Sequence, residues 1–195
     1  MTEVALTVYT AARMRALGRS LAALLRAGDL VILSGGLGAG KTTLTQGIGE
    51  GLGVRGPITS PTFVIARVHP PLDRVATAGE SRPALVHADA YRLGSVVELD
   101  DLDLDTDTAA SVTVVEWGEG LAEGLAADRV EITITPAASV SGGVADPGPV
   151  DGEAGDRYGD LDDPAVDVPR TVRISAVGAR WEGIKLPLAS PADRL

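Results

Sequence analysis

Residues 35–42 read Gly-Gly-Leu-Gly-Ala-Gly-Lys-Thr, a full match to G-x-x-x-x-G-K-[ST]. That pattern cradles phosphate groups, and each residue type in it has a chemical reason. Glycines let successive backbone N–H groups converge on phosphate oxygens without Cβ clashes, and a helix that follows adds partial positive charge at its N-terminus. Here the cradle is Gly35, Gly36, Leu37, Gly38, Ala39 and Gly40, with Lys41 set to reach the β- and γ-phosphates and the Thr42 hydroxyl set to ligate Mg²⁺. The sequence has only two lysines, Lys41 and Lys185, so a lysine at this one position of an arginine-preferring chain marks chemical need. Together these residues predict binding of a nucleoside triphosphate.

Hydrolysis or transfer also needs an acid to hold a metal and a group to position the nucleophile. Asp89 ends the apolar run Ala84-Leu85-Val86-His87-Ala88, and Glu116 ends Val112-Thr113-Val114-Val115. Both stand where open parallel sheets place their ligands, past the C-terminal ends of strands. Two readings remain for each acid: metal or water chemistry, or a plain loop cap. Ser60-Pro61-Thr62 puts hydroxyls near the expected γ-phosphate side, either as a switch that senses the triphosphate or as an ordinary turn. His87 shares a strand face with Asp89 and reads as structural, as does His69; Trp117 lies beside the site or packs. The chain contains no asparagine, so the Asn-Lys-x-Asp guanine motif cannot exist, which favours ATP.

Specific elements must position these groups. Thr10 caps a helix over 11–26 stopped by Gly28; Leu30-Val31-Ile32-Leu33 is a strand feeding the glycine loop, and a helix runs from Thr42 to Leu52. Strands are expected at 63–68, 84–88, 111–115, 129–135 and 171–177, with a short helix at 118–127 and a last strand at 181–186. The expected fold is α/β: a P-loop NTPase three-layer α/β/α sandwich, its central sheet mostly parallel with antiparallel C-terminal strands.

Residues 136–169 carry eight acids against one arginine, with six glycines and five prolines, a composition that favours disorder within a β-hairpin. Residues 69–83 read as a long surface loop, and 1–195 as one domain with the acidic stretch as an insert. A net charge of −10 argues against a broad nucleic-acid surface. Without cysteine there is no disulfide or thiolate metal site. With no secretory leader and no apolar run long enough to span a bilayer, a soluble cytoplasmic protein with no membrane association is expected.

The ordered set Gly38-Ala39-Gly40-Lys41-Thr42-Thr43, Ser60-Pro61-Thr62-Phe63, His87-Ala88-Asp89-Ala90-Tyr91-Arg92-Leu93 and Val115-Glu116-Trp117 resembles the TsaE (YjeE) family. Leu99-Asp100-Asp101-Leu102 is similar to its acidic-leucine segment. The resemblance implies a small bacterial ATPase required for threonylcarbamoyladenosine formation in tRNA. Its cofactors would be ATP and Mg²⁺, its partners TsaD and TsaB, with tRNA engaged indirectly through that complex. It further implies that Asp89 helps hold Mg²⁺, that Glu116 acts at the metal or the attacking water, and that Thr62 belongs to a nucleotide-responsive switch. Lys41, Thr42 and Thr43 would serve phosphates and metal. One departure stands out: the family pattern at the loop start is Gly-Asp-Leu-Gly, and here the second residue is Gly36.

Two rival readings remain. A small-molecule kinase on the same fold would need an acceptor pocket, which no sequence element identifies. A nucleotide-gated binding module without significant hydrolysis would leave Asp89 and Glu116 without a task. No arginine finger is evident near the loop, and Arg92 is the one candidate in cis, so slow turnover alone and faster turnover with partners are expected.

Overall fold

Every residue of Leu30–Leu33 is apolar, a pattern that fits a strand buried on both faces. In the computed structural model, which describes residues 2–62, 64–72, 82–91, 110–137 and 168–187, this run is the start of β2 (Leu30–Gly35), the centre of a seven-stranded sheet. The other strands are β1 (Thr2–Val8), β3 (Ala66–His69), β4 (Ala84–Asp89), β5 (Ser111–Glu116), β6 (Arg129–Pro136) and β7 (Arg170–Val177), in the order β1-β7-β6-β2-β5-β4-β3. The four central strands β6, β2, β5 and β4 run parallel, so their C-terminal ends share one edge. β3 joins β4 antiparallel, and β7 and β1 join antiparallel beyond β6.

Alternation divides the core. Val31 and Leu33 of β2 belong to the cluster built with helices α1 (Ala11–Ala22) and α2 (Lys41–Leu52), whereas Leu30 and Ile32 pack with Ala122 on the opposite face. The Thr10 hydroxyl accepts from the Arg13 N–H at 3.1 Å and caps α1. The two helices lie nearly backbone to backbone. A Cβ on Gly18 would come within 2.7 Å of the Ile48 nitrogen, and one on Gly47 within 2.8 Å of the Arg15 carbonyl carbon, so no larger residue fits either place without separating the helices.

Several elements differ from expectation. β1 has no counterpart in the sequence reading; it is an edge strand only partly buried. The helix expected at 118–127 is a set of turns with one 3-10 turn at Glu123–Leu125, because Gly118, Gly120 and Gly124 interrupt it and Gly120 sits at φ +78°. No strand forms at 181–186: a 3-10 turn over Ala179–Trp181 instead drops the Trp181 ring into the helix-side core. α1 ends at Ala22 rather than 26, and β3 starts at Ala66 because Ile65 takes a left-handed backbone, φ +70°. Phe63, the 92–109 stretch with its acidic-leucine segment, and the acidic residues 138–167 lie outside the described residues.

Candidate functional site

The glycine loop connects β2 to α2, and Gly40 at φ +105° caps the helix in a conformation that a Cβ would strain. Lys41 opens the helix almost fully buried. Its Nζ donates to the Gly35 and Gly36 carbonyls, both at 3.0 Å, and lies 3.8 Å from the centre of the Trp117 ring. Burial pulls the Lys41 ammonium below the usual lysine range, and the charges of Glu116 and Asp89 oppose part of that shift. Thr43 follows in the first helical turn, half-buried. At Gly36 a Cβ would meet nothing within 4 Å, so the aspartate of the family pattern has room there.

Strand register brings the two acids together. β4 and β5 align Asp89 with Glu116, and β2 aligns Leu33 with Glu116, which places both carboxylates beside the glycine loop. Both are buried, Asp89 at 3 % and Glu116 at 2 % exposure, so their partners decide their chemistry. The Thr42 hydroxyl donates to Glu116 Oε1 at 2.9 Å, and His87 Nε2 lies 2.8 Å from the same oxygen. A carboxylate only accepts, so Nε2 carries the proton of that bond; His87 Nδ1, also buried, has no partner among the described residues.

Asp89 serves the other segment. Its Oδ1 accepts from the Tyr91 N–H at 2.9 Å, while Oδ2 accepts from the Thr62 hydroxyl and, at 3.4 Å, from Ser60. The Ser60 and Thr62 hydroxyls are 2.7 Å apart. The 60–62 turn is thus fastened to Asp89, and its exit passes through Ile65, a β-branched residue in a region such residues rarely occupy. The Ile65 carbonyl accepts from the Asp89 N–H at 2.9 Å, so turn and acid are tied at two levels. Every residue predicted for the site therefore gathers at one sheet edge: the loop 35–40, Lys41, Thr42, Thr43, Thr62, Asp89 and Glu116.

Sequence reasoning missed the roles of His87 and Arg170 and left that of Trp117 open between lying beside the site and packing. His87 could be placed on the Asp89 face by strand alternation, but its bond to Glu116 needs the register of a second strand. Trp117 takes φ +60° and lays its ring over Lys41, with Tyr91 at 5.1 Å between ring centroids. Arg170, at the start of β7, donates from Nη2 to the Gly38 carbonyl at 3.3 Å, a contact across 132 residues that no local pattern announces.

The family profile described as "Threonylcarbamoyl adenosine biosynthesis protein TsaE" matches residues 8–141, which hold the glycine loop and both acids. The chain belongs to the TsaE family. A Streptomyces coelicolor relative described as "tRNA threonylcarbamoyladenosine biosynthesis protein TsaE" is 66% identical over 122 residues, 62% of this chain and 78% of its own. Under the same description, a Mycobacterium leprae relative is 54% identical over 125 residues (61% and 74%) and a Bacillus subtilis one 36% over 121 (62% and 70%). The crystal structure of Bacillus subtilis YdiB superposes with a TM-score of 0.59 at 27% identity, covering 93% of this chain and 90% of that one. The TsaE family thus connects this P-loop fold to tRNA threonylcarbamoyladenosine biosynthesis. No helix among the described residues is long and apolar enough to cross a membrane.

Proposed function

We propose that the chain is an Mg²⁺-dependent ATPase, an accessory subunit that works in the cytoplasm with TsaD and TsaB in threonylcarbamoylation of tRNA, the tRNA being held through that complex. The observation that carries this reading is the convergence of Lys41, Thr42, Glu116 and Asp89 on one edge of the sheet, beside a glycine loop shaped for phosphate. The whole chain is read as one such domain, interrupted by the acidic 136–169 stretch.

Lys41 and the loop N–H groups would take the phosphate oxygens, and Thr43 would extend that contact by one residue. Mg²⁺ suits the donor set, because the Thr42 hydroxyl and the Glu116 and Asp89 carboxylates are hard oxygen ligands and Thr42 Oγ1 and Glu116 Oε1 lie 2.9 Å apart. These three residues would hold it, and it would neutralise charge on the β- and γ-phosphate oxygens. His87 and Thr42 both anchor Oε1 of Glu116, which orients the carboxylate so that Oε2 can orient the attacking water and accept its proton. The Thr62–Asp89 bond makes the 60–62 turn responsive to whatever engages Asp89.

The test is ATP hydrolysis with Mg²⁺ by the protein alone and with purified TsaD, TsaB and tRNA. Stimulation on the scale of an added arginine finger, about 10³-fold or more, is expected, and Lys41→Ala should abolish it. Turnover equally fast without partners would overturn the accessory reading. Nucleotide binding with no turnover in either setting would overturn the ATPase reading itself.

A further inference from the structure

Strand alternation puts Leu85, His87 and Asp89 on one face of β4, the face on which Leu85 joins the helix-side core. The edge strand β3 adds to the same face: Arg67 pairs with His87 and His69 with Leu85, so His69 is the diagonal neighbour of His87. These are the only two histidines of the sequence, and both are more than nine-tenths buried, His69 at 6 % and His87 at 0 % exposure. Each has one ring nitrogen with no partner among the described residues, Nε2 of His69 and Nδ1 of His87. Buried polar atoms are nearly always hydrogen-bonded, so two such nitrogens on adjacent strands call for one explanation.

The second nitrogen of each ring shows what the first must be. His87 Nε2 carries the proton of its bond to Glu116 Oε1, which leaves Nδ1 of the neutral ring as an acceptor. His69 bonds the Arg55 backbone in the sense that favours a protonated ring, so the ring donates there; with Nε2 unpartnered, the donor is Nδ1. Burial keeps the His69 ring neutral, and its Nε2 is therefore an acceptor too. Two acceptors cannot bond each other, but the two O–H groups of one water molecule satisfy both. Diagonal neighbours across an antiparallel pair stand about 7–8 Å apart, and a water bonded to two nitrogens holds them about 5–6 Å apart, so the rings can share one water. No third metal-ligating side chain joins them among the described residues, which favours water over a metal ion.

We propose that a buried water molecule bridges His87 Nδ1 and His69 Nε2, donating to both, and that His69 is thereby a positioning residue for Glu116. The chain of bonds runs from the Arg55 carbonyl through His69, the water and His87 to Glu116 Oε1. It selects the His87 tautomer with the proton on Nε2, holds Oε1, and leaves Oε2 for the attacking water. The catalytic half of this inference rests on the ATPase reading above; the bridge does not.

Histidine-selective ¹⁵N NMR of the untagged full chain tests the bridge, and each ring is identified by difference because any His69 variant leaves only His87. Wild-type His87 should be the Nε2–H tautomer, with Nδ1 at the shift of a hydrogen-bonded acceptor. His69→Gln puts an amide oxygen where Nε2 was, so it should keep that shift and keep partner-stimulated kcat within about twofold. His69→Asn keeps only the amide nearest Arg55, so His87 Nδ1 should move to the shift of a free acceptor. Its kcat should fall about 10-fold, the low end for outer-shell partners, with nucleotide Kd within about twofold. A His69 needed only for its bond to Arg55 gives the reverse order, Asn active and Gln impaired, and would overturn the proposal. So would a free or protonated Nδ1 on wild-type His87, which leaves the ATPase reading standing. A lost bridge in His69→Asn with unchanged kcat would overturn the positioning role. A wild type that shows the bridge but no turnover with its partners would overturn the ATPase reading instead.

Discussion

Gly47→Ala sets two physical effects against each other, and the sign of the result shows which one governs. Gly47 lies in the interior of α2, where alanine is the better helix former by about 1 kcal/mol. On propensity alone the substitution stabilises. The structure demands the reverse, because the new Cβ would sit 2.8 Å from both the carbonyl carbon and the Cα of Arg15 and closer still to its carbonyl oxygen. Ordinary contact starts at 3.4 Å and the carbonyl oxygen is the nearest atom, so α1 and α2 would have to separate by roughly 1 Å. All three atoms are backbone, with no side chain to swing away, which places the overpacking cost near the upper end of its range, about 3 kcal/mol. The net is a loss of about 2 kcal/mol, or a fall in Tm of about 4–8 °C for a chain of this size. Urea and thermal unfolding would measure it, with two comparisons alongside. Gly49→Ala meets chiefly the Ile58 Cδ1 tip, which can rotate, and should cost less; Gly124→Ala meets nothing within 4 Å and should stay within about 0.5 kcal/mol. A Gly47→Ala protein as stable as wild type, or more so, would refute the close helix contact.

Further outcomes follow from the site and its surroundings. Glu116→Gln keeps a carbonyl oxygen for Thr42, His87 and the metal but loses the basic carboxylate, so partner-stimulated kcat should fall about 10²- to 10⁴-fold with nucleotide Kd nearly unchanged; a parallel loss of binding would leave Glu116 with its metal-holding role and remove its role at the water. Gly36→Asp should leave Tm within about 2 °C of wild type, since the position is open and outside the left-handed region; a larger drop would contradict the space seen there. Burial lowers the pKa of His69, with His87 and Arg67 adding to the shift and a backbone hydrogen bond with Arg55 opposing it. The unfolded chain therefore takes up the proton first: the stability is present above about pH 6.5 and is lost as pH falls toward the lowered folded-state value. His69→Phe should flatten the dependence of the urea midpoint between about pH 7.5 and 5.5, and identical slopes in the two proteins would refute the assignment.

Local features of this fold were legible where one short window carries the whole physical cause. The β2–loop–α2 unit is such a case, because an apolar run, glycines and a helix start occur within about two dozen residues. Asp89 and Glu116 were legible for a second reason: a polar residue ending a buried parallel strand lands at the ligand edge whatever the strand order. The order itself was not legible, and with it went the His87–Glu116 bond and the approach of Arg170 to Gly38. Errors fell where tertiary burial outweighs pattern. Ile184-Lys185-Leu186 alternates like a strand, but Trp181 is out of phase with it and is buried from the 3-10 turn over Ala179–Trp181. β1 had a signal of its own: Val4, Leu6 and Val8 alternate with Glu3, Ala5 and Thr7, the pattern of a strand covered on one face.

The pairing of β6 with β7 has a consequence for how the chain can vary. The ladder runs to Pro136 opposite Arg170, and the Ala137 N–H still donates to the Pro169 carbonyl at 2.9 Å. Whatever lies between those two positions starts and finishes about one strand spacing apart, roughly 5 Å. The entropy of closing such a connection changes by only about 0.6 kcal/mol for each doubling of its length. A flexible connection across that gap could therefore be lengthened or trimmed with little effect on the stability of the sheet, while Arg170 stays against the Gly38 carbonyl. Sequence can be added or removed here, next to the glycine loop, without remaking the fold, and a reporter domain could be spliced in to sense what happens there.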